Sequence, residues 1–273
     1  MAAVILMLGL MARIVSPAEA TCLDFIRESP LPMDVYIAGT QEDERLSLSV
    51  GNELVYVNGP GVSALKSGET YGVVRPEGLV NDPYTLERIG IYYKRLGTVR
   101  IAAEGKNSAT ALVLIACQPI VKGDILVPHT AKAAVEFEGK LSDRLTPFVE
   151  AGLSSHIVVA KNDMREMSSG DICFIAVGSR SGVKVGDHFT IYRIQDPFDP
   201  LDLMVTGKQG NASYRRVHDG KHRAMLTEKL EGRSLPPRAV GDIVILEVSE
   251  GTAAARIVNS LMEVHLGDLV VRR

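Results

Sequence analysis

Two stretches of this chain spell the same pattern, and a chain that repeats itself is constrained to build one kind of unit twice. The first opens Gly51-Asn52-Glu53-Leu54-Val55-Tyr56-Val57-Asn58-Gly59 and continues Leu65-Lys66-Ser67-Gly68-Glu69-Thr70-Tyr71-Gly72-Val73-Val74-Arg75. Its counterpart is Gly170-Asp171-Ile172-Cys173-Phe174-Ile175-Ala176-Val177-Gly178, then Val183-Lys184-Val185-Gly186-Asp187-His188-Phe189-Thr190-Ile191-Tyr192-Arg193. The closing halves align without a gap. Leu96-Gly97-Thr98-Val99-Arg100-Ile101 faces Val240-Gly241-Asp242-Ile243-Val244-Ile245, and Ile120-Val121-Lys122-Gly123-Asp124-Ile125-Leu126-Val127 faces Val264-His265-Leu266-Gly267-Asp268-Leu269-Val270-Val271. In the lead-ins, Asp34-Val35-Tyr36-Ile37-Ala38 stands opposite His156-Ile157-Val158-Val159-Ala160.

The repeated runs are short, rich in β-branched residues, and bounded by Gly, Asn, Asp and Pro, which is the signature of antiparallel strands in a barrel or sandwich. The expected fold is therefore mainly β, with two tandem, homologous small β-barrel or sandwich-like modules. The first spans residues 31–130 and the second 153–273, with a long insertion at 194–238, and residues 131–152 link them. One or two short helices are expected, within 131–150 and within 84–95.

Glycine followed by an acid recurs at Gly123-Asp124, Gly186-Asp187, Gly241-Asp242 and Gly267-Asp268, with Gly68-Glu69 as a variant. Glycine supplies the positive φ of a tight turn and the polar residue bonds local backbone, so these positions read as structural turns. A catalytic or ligand-binding reading needs several of Asp124, Asp187, Asp242, Asp268 and Arg75 or Arg193 to collect in a pocket between the modules. That would suit an envelope hydrolase or a small-ligand-binding protein. The two arginines end equivalent strands, where pairing with a turn carboxylate is the commoner use.

The first residues read as an export signal. Residues 2–12 are an apolar run too short to span a bilayer, followed by Pro17 and an Ala18-Glu19-Ala20 cleavage pattern. Cleavage after Ala20 places the mature protein in the periplasm or outside the cell, with no transmembrane segment. The competing reading is a buried N-terminal helix ending in small residues. The mature chain keeps Cys22, Cys117 and Cys173, an odd count that permits one internal disulfide. Cys173 sits in an apolar run and reads as an inert buried thiol, so Cys22 with Cys117 is the pairing to test.

Apolar residues make up 46% of the 273, enough to bury real cores. A formal charge of −3 gives no global attraction to nucleic acid or anionic lipid. The absence of tryptophan removes a common stacking side chain for sugars or unpaired bases. The insertion carries a basic cluster, Arg215, Arg216, His218, Lys221, His222 and Arg223, which reads as a solvated loop or as a docking arm for an acidic partner. Arg215, Arg216, Lys221 and Arg223 are its candidate partner-binding residues. No nucleophile elbow, phosphate loop or C-x-x-C pair occurs, and the histidines are scattered. No cofactor, metal site or catalytic residue is expected.

The phrase Gly182-Val183-Lys184-Val185-Gly186-Asp187-His188-Phe189-Thr190-Ile191-Tyr192-Arg193, together with its counterpart in the first unit, resembles small β-barrel modules of bacterial envelope proteins. It is similar to the C-terminal domain of flagellar assembly protein T and to the tails that follow LysM domains. The resemblance implies a scaffold or assembly role outside the cytoplasm, with no catalytic residues. The expected function is thus a non-enzymatic envelope protein that binds another envelope protein or a cell-wall component.

Overall fold

The computed structural model describes residues 12–40, 52–148, 152–194 and 236–273. The chain is mainly β. Its strands are β1 (Ala12–Val15), β2 (Phe25–Arg27), β3 (Tyr36–Thr40), β4 (Leu54–Asn58), β5 (Thr70–Asn81), β6 (Arg88–Ala103), β7 (Ala109–Ala116), β8 (Ile125–Pro128), β9 (Val135–Phe137), β10 (Ser154–Ala160), β11 (Ile172–Ile175), β12 (His188–Arg193), β13 (Arg238–Val248), β14 (Ala253–Ser260) and β15 (Leu269–Arg272). A single α-helical turn, α1 (Pro17–Thr21), precedes β2.

Strands β10–β15 form a closed six-stranded barrel in the order β10-β11-β14-β13-β12-β15. Strands β2–β8 form a seven-stranded sheet in the order β2-β6-β5-β8-β3-β4-β7, in which β6 also pairs with β7. Each of β3–β8 thus has at least two partners, in the cyclic order β3-β4-β7-β6-β5-β8. The pairings interrupt at corresponding places. The first pair of strands slips at Ile37/Gly39 and at Ile157/Val159, and the long hairpins slip at Val73/Val74 and Ile191/Tyr192. The closing hairpins each slip twice, at Thr98/Val99 and Ile101/Ala103, and at Asp242/Ile243 and Ile245/Glu247. Bulges bend strands and raise their twist, which is how a short sheet curls on itself.

Each group has its own apolar core. Ile37, Val55, Val57, Val73, Leu96 and Val99 fill the first, and Ile157, Cys173, Ile175, Ile191, Val240 and Ile243 fill the second. In β4 the burial alternates, because Tyr56 and Asn58 face out; in β11 all four residues are buried. Alternation marks a strand with one wet face, and a continuous apolar run marks one covered on both.

Four expectations are corrected. Residues 84–95 are not helical: the turn after β5 holds Leu86 at φ 62, and β6 follows from Arg88, where Ile91 and Tyr93 join one apolar cluster and Tyr92 another. The described part of 131–150 is extended and includes β9, because its polar groups are taken by partners across the fold rather than by a helix. The first sheet begins at β2, ahead of residue 31. Gly241 is not in a turn but inside β13, where a Cβ would lie 2.3 Å from the Asn259 carbonyl oxygen.

Asn52 N donates to Val113 O and Gly170 N donates to Ile257 O, and both residues have positive φ, so Asn52 rather than Gly51 has the local geometry of Gly170. Ile37 N and Ile157 N take the carbonyls of Asp124 and Asp268, whereas the sequence comparison set Ile37 opposite Val159.

Candidate interaction site

The long hairpin of the first sheet outruns its own strand group. β8 pairs β5 only through residues 71–74, while β5 continues to Asn81 against the first half of β6. β2 joins the far side of β6, Phe25 opposite Tyr93 and Ile26 opposite Tyr92. The result is a three-stranded arm, and it lies on the outside of the closed barrel. Ile26, Val80 and Tyr92 of the arm pack in one cluster with Val158, Ile172, Phe174, Val244 and Leu246 of the barrel. Tyr92 meets Phe174 edge to face at 5.3 Å between ring centroids. This is why β11 is apolar on both sides.

Polar contacts fix the arm at its tip and its root. At the tip, Asp82 Oδ1 accepts the backbone N–H groups of Tyr84 and Thr85 at 2.8 and 3.0 Å. Burial pushes the Asp82 carboxyl up, but those two N–H groups and His156 outweigh it and hold the carboxyl below its usual range. Tyr84 then donates its hydroxyl to Gly267 O at 2.5 Å and sets its ring edge-on to His156, whose Nε2 lies 2.8 Å from Asp82 Oδ2. That last contact is electrostatic rather than an aligned hydrogen bond.

At the root, the fully buried Asp24 accepts the Tyr92 hydroxyl at 2.7 Å and Arg95 N at 2.9 Å. Burial, and then Asp24, raise the Tyr92 phenol far above its ordinary value. Glu247 of β13 accepts from both Arg95 and Lys132, and Arg95 also covers the Phe25 ring at 4.6 Å. Burial lowers Lys132, with Arg95 adding to that and Glu247 opposing it. Three charges from the first sheet, the linker and the barrel thus meet in one half-buried network. Lys161 Nζ adds a bond to Cys22 O at 3.2 Å.

Clefts border the arm on both of its long sides. One, of about 370 Å³, runs along the outer edge of β2 beside the β13–β14 turn and is lined by Ile26, Arg27, Glu28, Arg95, Ser249 and Thr252. The other, of about 340 Å³, borders the unpaired side of β5, with Glu77, Leu79 and Asn81 facing Val159, Asn162 and Asp163. Among the described strands, β3–β8 and β10–β15 all have two partners or more, whereas β1, β2 and β9 have one. Unpaired strand edges present rows of N–H and C=O groups, which is the chemistry of strand addition. On β2 the edge is lightly covered: the Thr252 hydroxyl donates to Ile26 O at 3.3 Å, and the exposed pair Glu28 and Arg180 lies beside the same cleft.

The Gly-Asp positions do not converge. Arg75 binds Asp124 bidentately at 2.7 and 2.8 Å, and Arg193 binds Asp268 at 2.7 and 2.7 Å. Asp187 accepts Lys184 N at 3.0 Å and lies 3.4 Å from Arg272. Gly68, Gly123, Gly186 and Gly267 have φ between 85 and 96. Each of the aspartates at 124, 187 and 268 receives the backbone N–H of the residue three before it. Ser168 N to Asp171 repeats the motif at Gly170-Asp171.

Asp242 has a separate use. It is fully buried and accepts Ser142 N and Oγ at 2.7 Å each, Asn259 Nδ2 at 3.0 Å and Thr190 Oγ1 at 3.2 Å, with His188 Nε2 at 3.0 Å. A serine, a histidine and an aspartate meet here, but the aspartate stands between the other two. A nucleophilic triad needs the histidine in the middle. The cluster anchors the linker to the barrel.

Cys22 and Cys117 are bonded, with Cα atoms 5.7 Å apart, and tie the segment before β2 to the end of β7. Cys173 is buried, and burial pushes its thiol up to about 12. Arg215, Arg216, Lys221 and Arg223 lie outside the described residues. Among the described residues no helix is long and apolar enough to cross a membrane, and no three His, Cys, Asp or Glu side chains are grouped to hold a metal ion.

Sequence reasoning missed the arm and the network of Asp24, Arg95, Lys132 and Glu247. The only local signal for the arm was the apolar, aromatic run Ile91-Tyr92-Tyr93, which suits a strand or a helix equally. For the network there was none, since its members lie on three separate stretches. No protein-family model matches the chain, and no curated protein is detectably similar to it in sequence.

Proposed function

We propose that the chain is an exported, non-enzymatic protein of the bacterial envelope that binds an extended segment of another envelope protein along the edges of its arm. The two strand groups, on this reading, are diverged copies of one unit joined in tandem. Support for the duplication comes from the shared cyclic strand order, the shared bulge positions and the matching pairs Arg75–Asp124 and Arg193–Asp268. The copies differ where function is expected: the first lengthens its hairpin into an arm, and the second covers the outside of its barrel with it.

The observation that carries the binding reading is the cleft beside β2. It combines a strand edge without a strand partner, covered only by the Thr252 hydroxyl, with apolar, charged and hydroxyl side chains lining the same cleft. Main-chain bonds supply affinity in such a mode, and the flanking side chains supply selectivity. The bond between Cys22 and Cys117 fits an oxidising compartment, and the cleavage pattern at Ala18-Glu19-Ala20 fits export.

A carboxy-terminal fusion to a reporter active only outside the cytoplasm tests the location. Activity is expected, and full-length chain retained in the cytoplasm contradicts the proposal. Pull-down from envelope extracts should recover a protein whose capture falls at least tenfold in the Ile26→Pro variant, because proline removes the edge N–H.

A further inference from the structure

The edge of β9 is occupied by a segment that export removes. Ala12 lies opposite Phe137, Arg13 opposite Glu136 and Val15 opposite Val135, and among the described strands β1 alone pairs with β9. After β1 the chain turns through α1, where Ala20 is buried in the apolar cluster that also holds Val135. Glu19 reaches Arg256 of β14 at 3.5 Å. The cleavage pattern Ala18-Glu19-Ala20 therefore falls inside packed structure. Signal cleavage acts on a chain that is still extended, so burial in the folded product does not protect it.

From this we infer that residues 12–20 stand in for a partner's strand, and that the processed protein binds at β9 an extended segment alternating basic and apolar residues. The inference rests on the export reading above. β9 remains in place without β1, because its inner side is held independently. Phe137 packs on His188 at 4.8 Å between centroids, Val135 shares its cluster with Val158 and Val244 of the barrel, which cleavage leaves in place, and Ser142 is clamped by Asp242. What cleavage exposes is a preformed edge in which Val135-Glu136-Phe137-Glu138 alternates apolar with acidic positions. Glu136 and Glu138, both exposed on that edge, call for cations at alternate positions of the incoming strand. The new terminus at Thr21 stays beside the vacated groove because Cys22 is bonded to Cys117.

The test uses protein purified from an exporting host, its amino terminus read by mass spectrometry. A fluorescein-labelled peptide of residues 11–20 is titrated into it, and anisotropy is recorded. The expected result is a terminus at Thr21 and saturable binding. Affinity should fall at least tenfold in Glu136→Lys, whose exposed position leaves folding intact. Unprocessed full-length chain made without export should bind at least tenfold more weakly, since its own β1 competes. A processed chain that ignores the peptide, or that binds a scrambled sequence equally, overturns the inference and leaves export standing. Retention of the whole chain in the cytoplasm overturns both.

Discussion

At the scale of single residues, two kinds of glycine have separate jobs. Gly186, at φ 89, sits where a side chain is strained but has open space around it, so Gly186→Ala should cost about 1–2 kcal/mol. Gly241 has no room, since any Cβ meets the Asn259 carbonyl. Gly241→Ala should cost more than Gly186→Ala in urea melts, and the reverse order contradicts the assignment of Gly241 to a close strand crossing. Asp242 sets an acid limit on the second barrel. Burial alone raises its carboxyl, but the bonds from His188, Asn259 and Ser142 outweigh this and hold it at about 2, below its ordinary 3.8. A depressed carboxylate contributes stability that is complete above its unfolded value and lost as pH falls through the folded one. Roughly 2 kcal/mol should therefore disappear between about pH 4 and pH 2. In Asp242→Asn that part of the acid transition should be missing from the denaturation curve.

At the scale of elements, the strands of the two cores were legible because turn glycines and β-branched runs are local signals. Registers were less so. Asn52 and Gly170 both have positive φ, and matching by glycine identity set Gly51 rather than Asn52 opposite Gly170. The arm was unreadable as a strand pair because Ile89 to Tyr93 suits either period over so short a run, and only cross-strand pairing with β5 decides it. The linker was misread for a related reason: Ser142 and its neighbours find their partners about a hundred residues away. The same logic gives the disulfide its weight. Cys22 and Cys117 are 95 residues apart, and closing a loop of that order restricts the unfolded chain by about 4–5 kcal/mol in the chain-entropy model. The double variant Cys22→Ser, Cys117→Ser should lose about 2–5 kcal/mol in guanidinium unfolding. It should also release the segment before β2, visible as faster hydrogen exchange at Phe25 and Arg27, which flank the edge N–H of Ile26.

At the scale of the whole molecule, the arm makes one body of two strand groups. Its apolar contact with the barrel centres on Phe174, which is 1% exposed. Truncation to alanine should cost about 3–5 kcal/mol, and Phe174→Asp should separate the two groups. A compact chain of this length has a radius of gyration of about 19 Å. Small-angle scattering of Phe174→Asp should show an increase of several ångström with the β signal in circular dichroism retained. An unchanged radius contradicts the role given to the arm. Both clefts exist only in the docked state, so this variant should also lose partner capture.

The claim on which the functional account depends is that binding occurs along the β2 edge, and site-specific photocrosslinking in an exporting host tests it most directly. A benzophenone side chain at Arg27 should give a discrete adduct with a second envelope protein. The same group at Lys66 or Lys184, exposed turn positions at equivalent places in the two strand groups, should give none. Adducts at the turns with none at Arg27 would contradict the account.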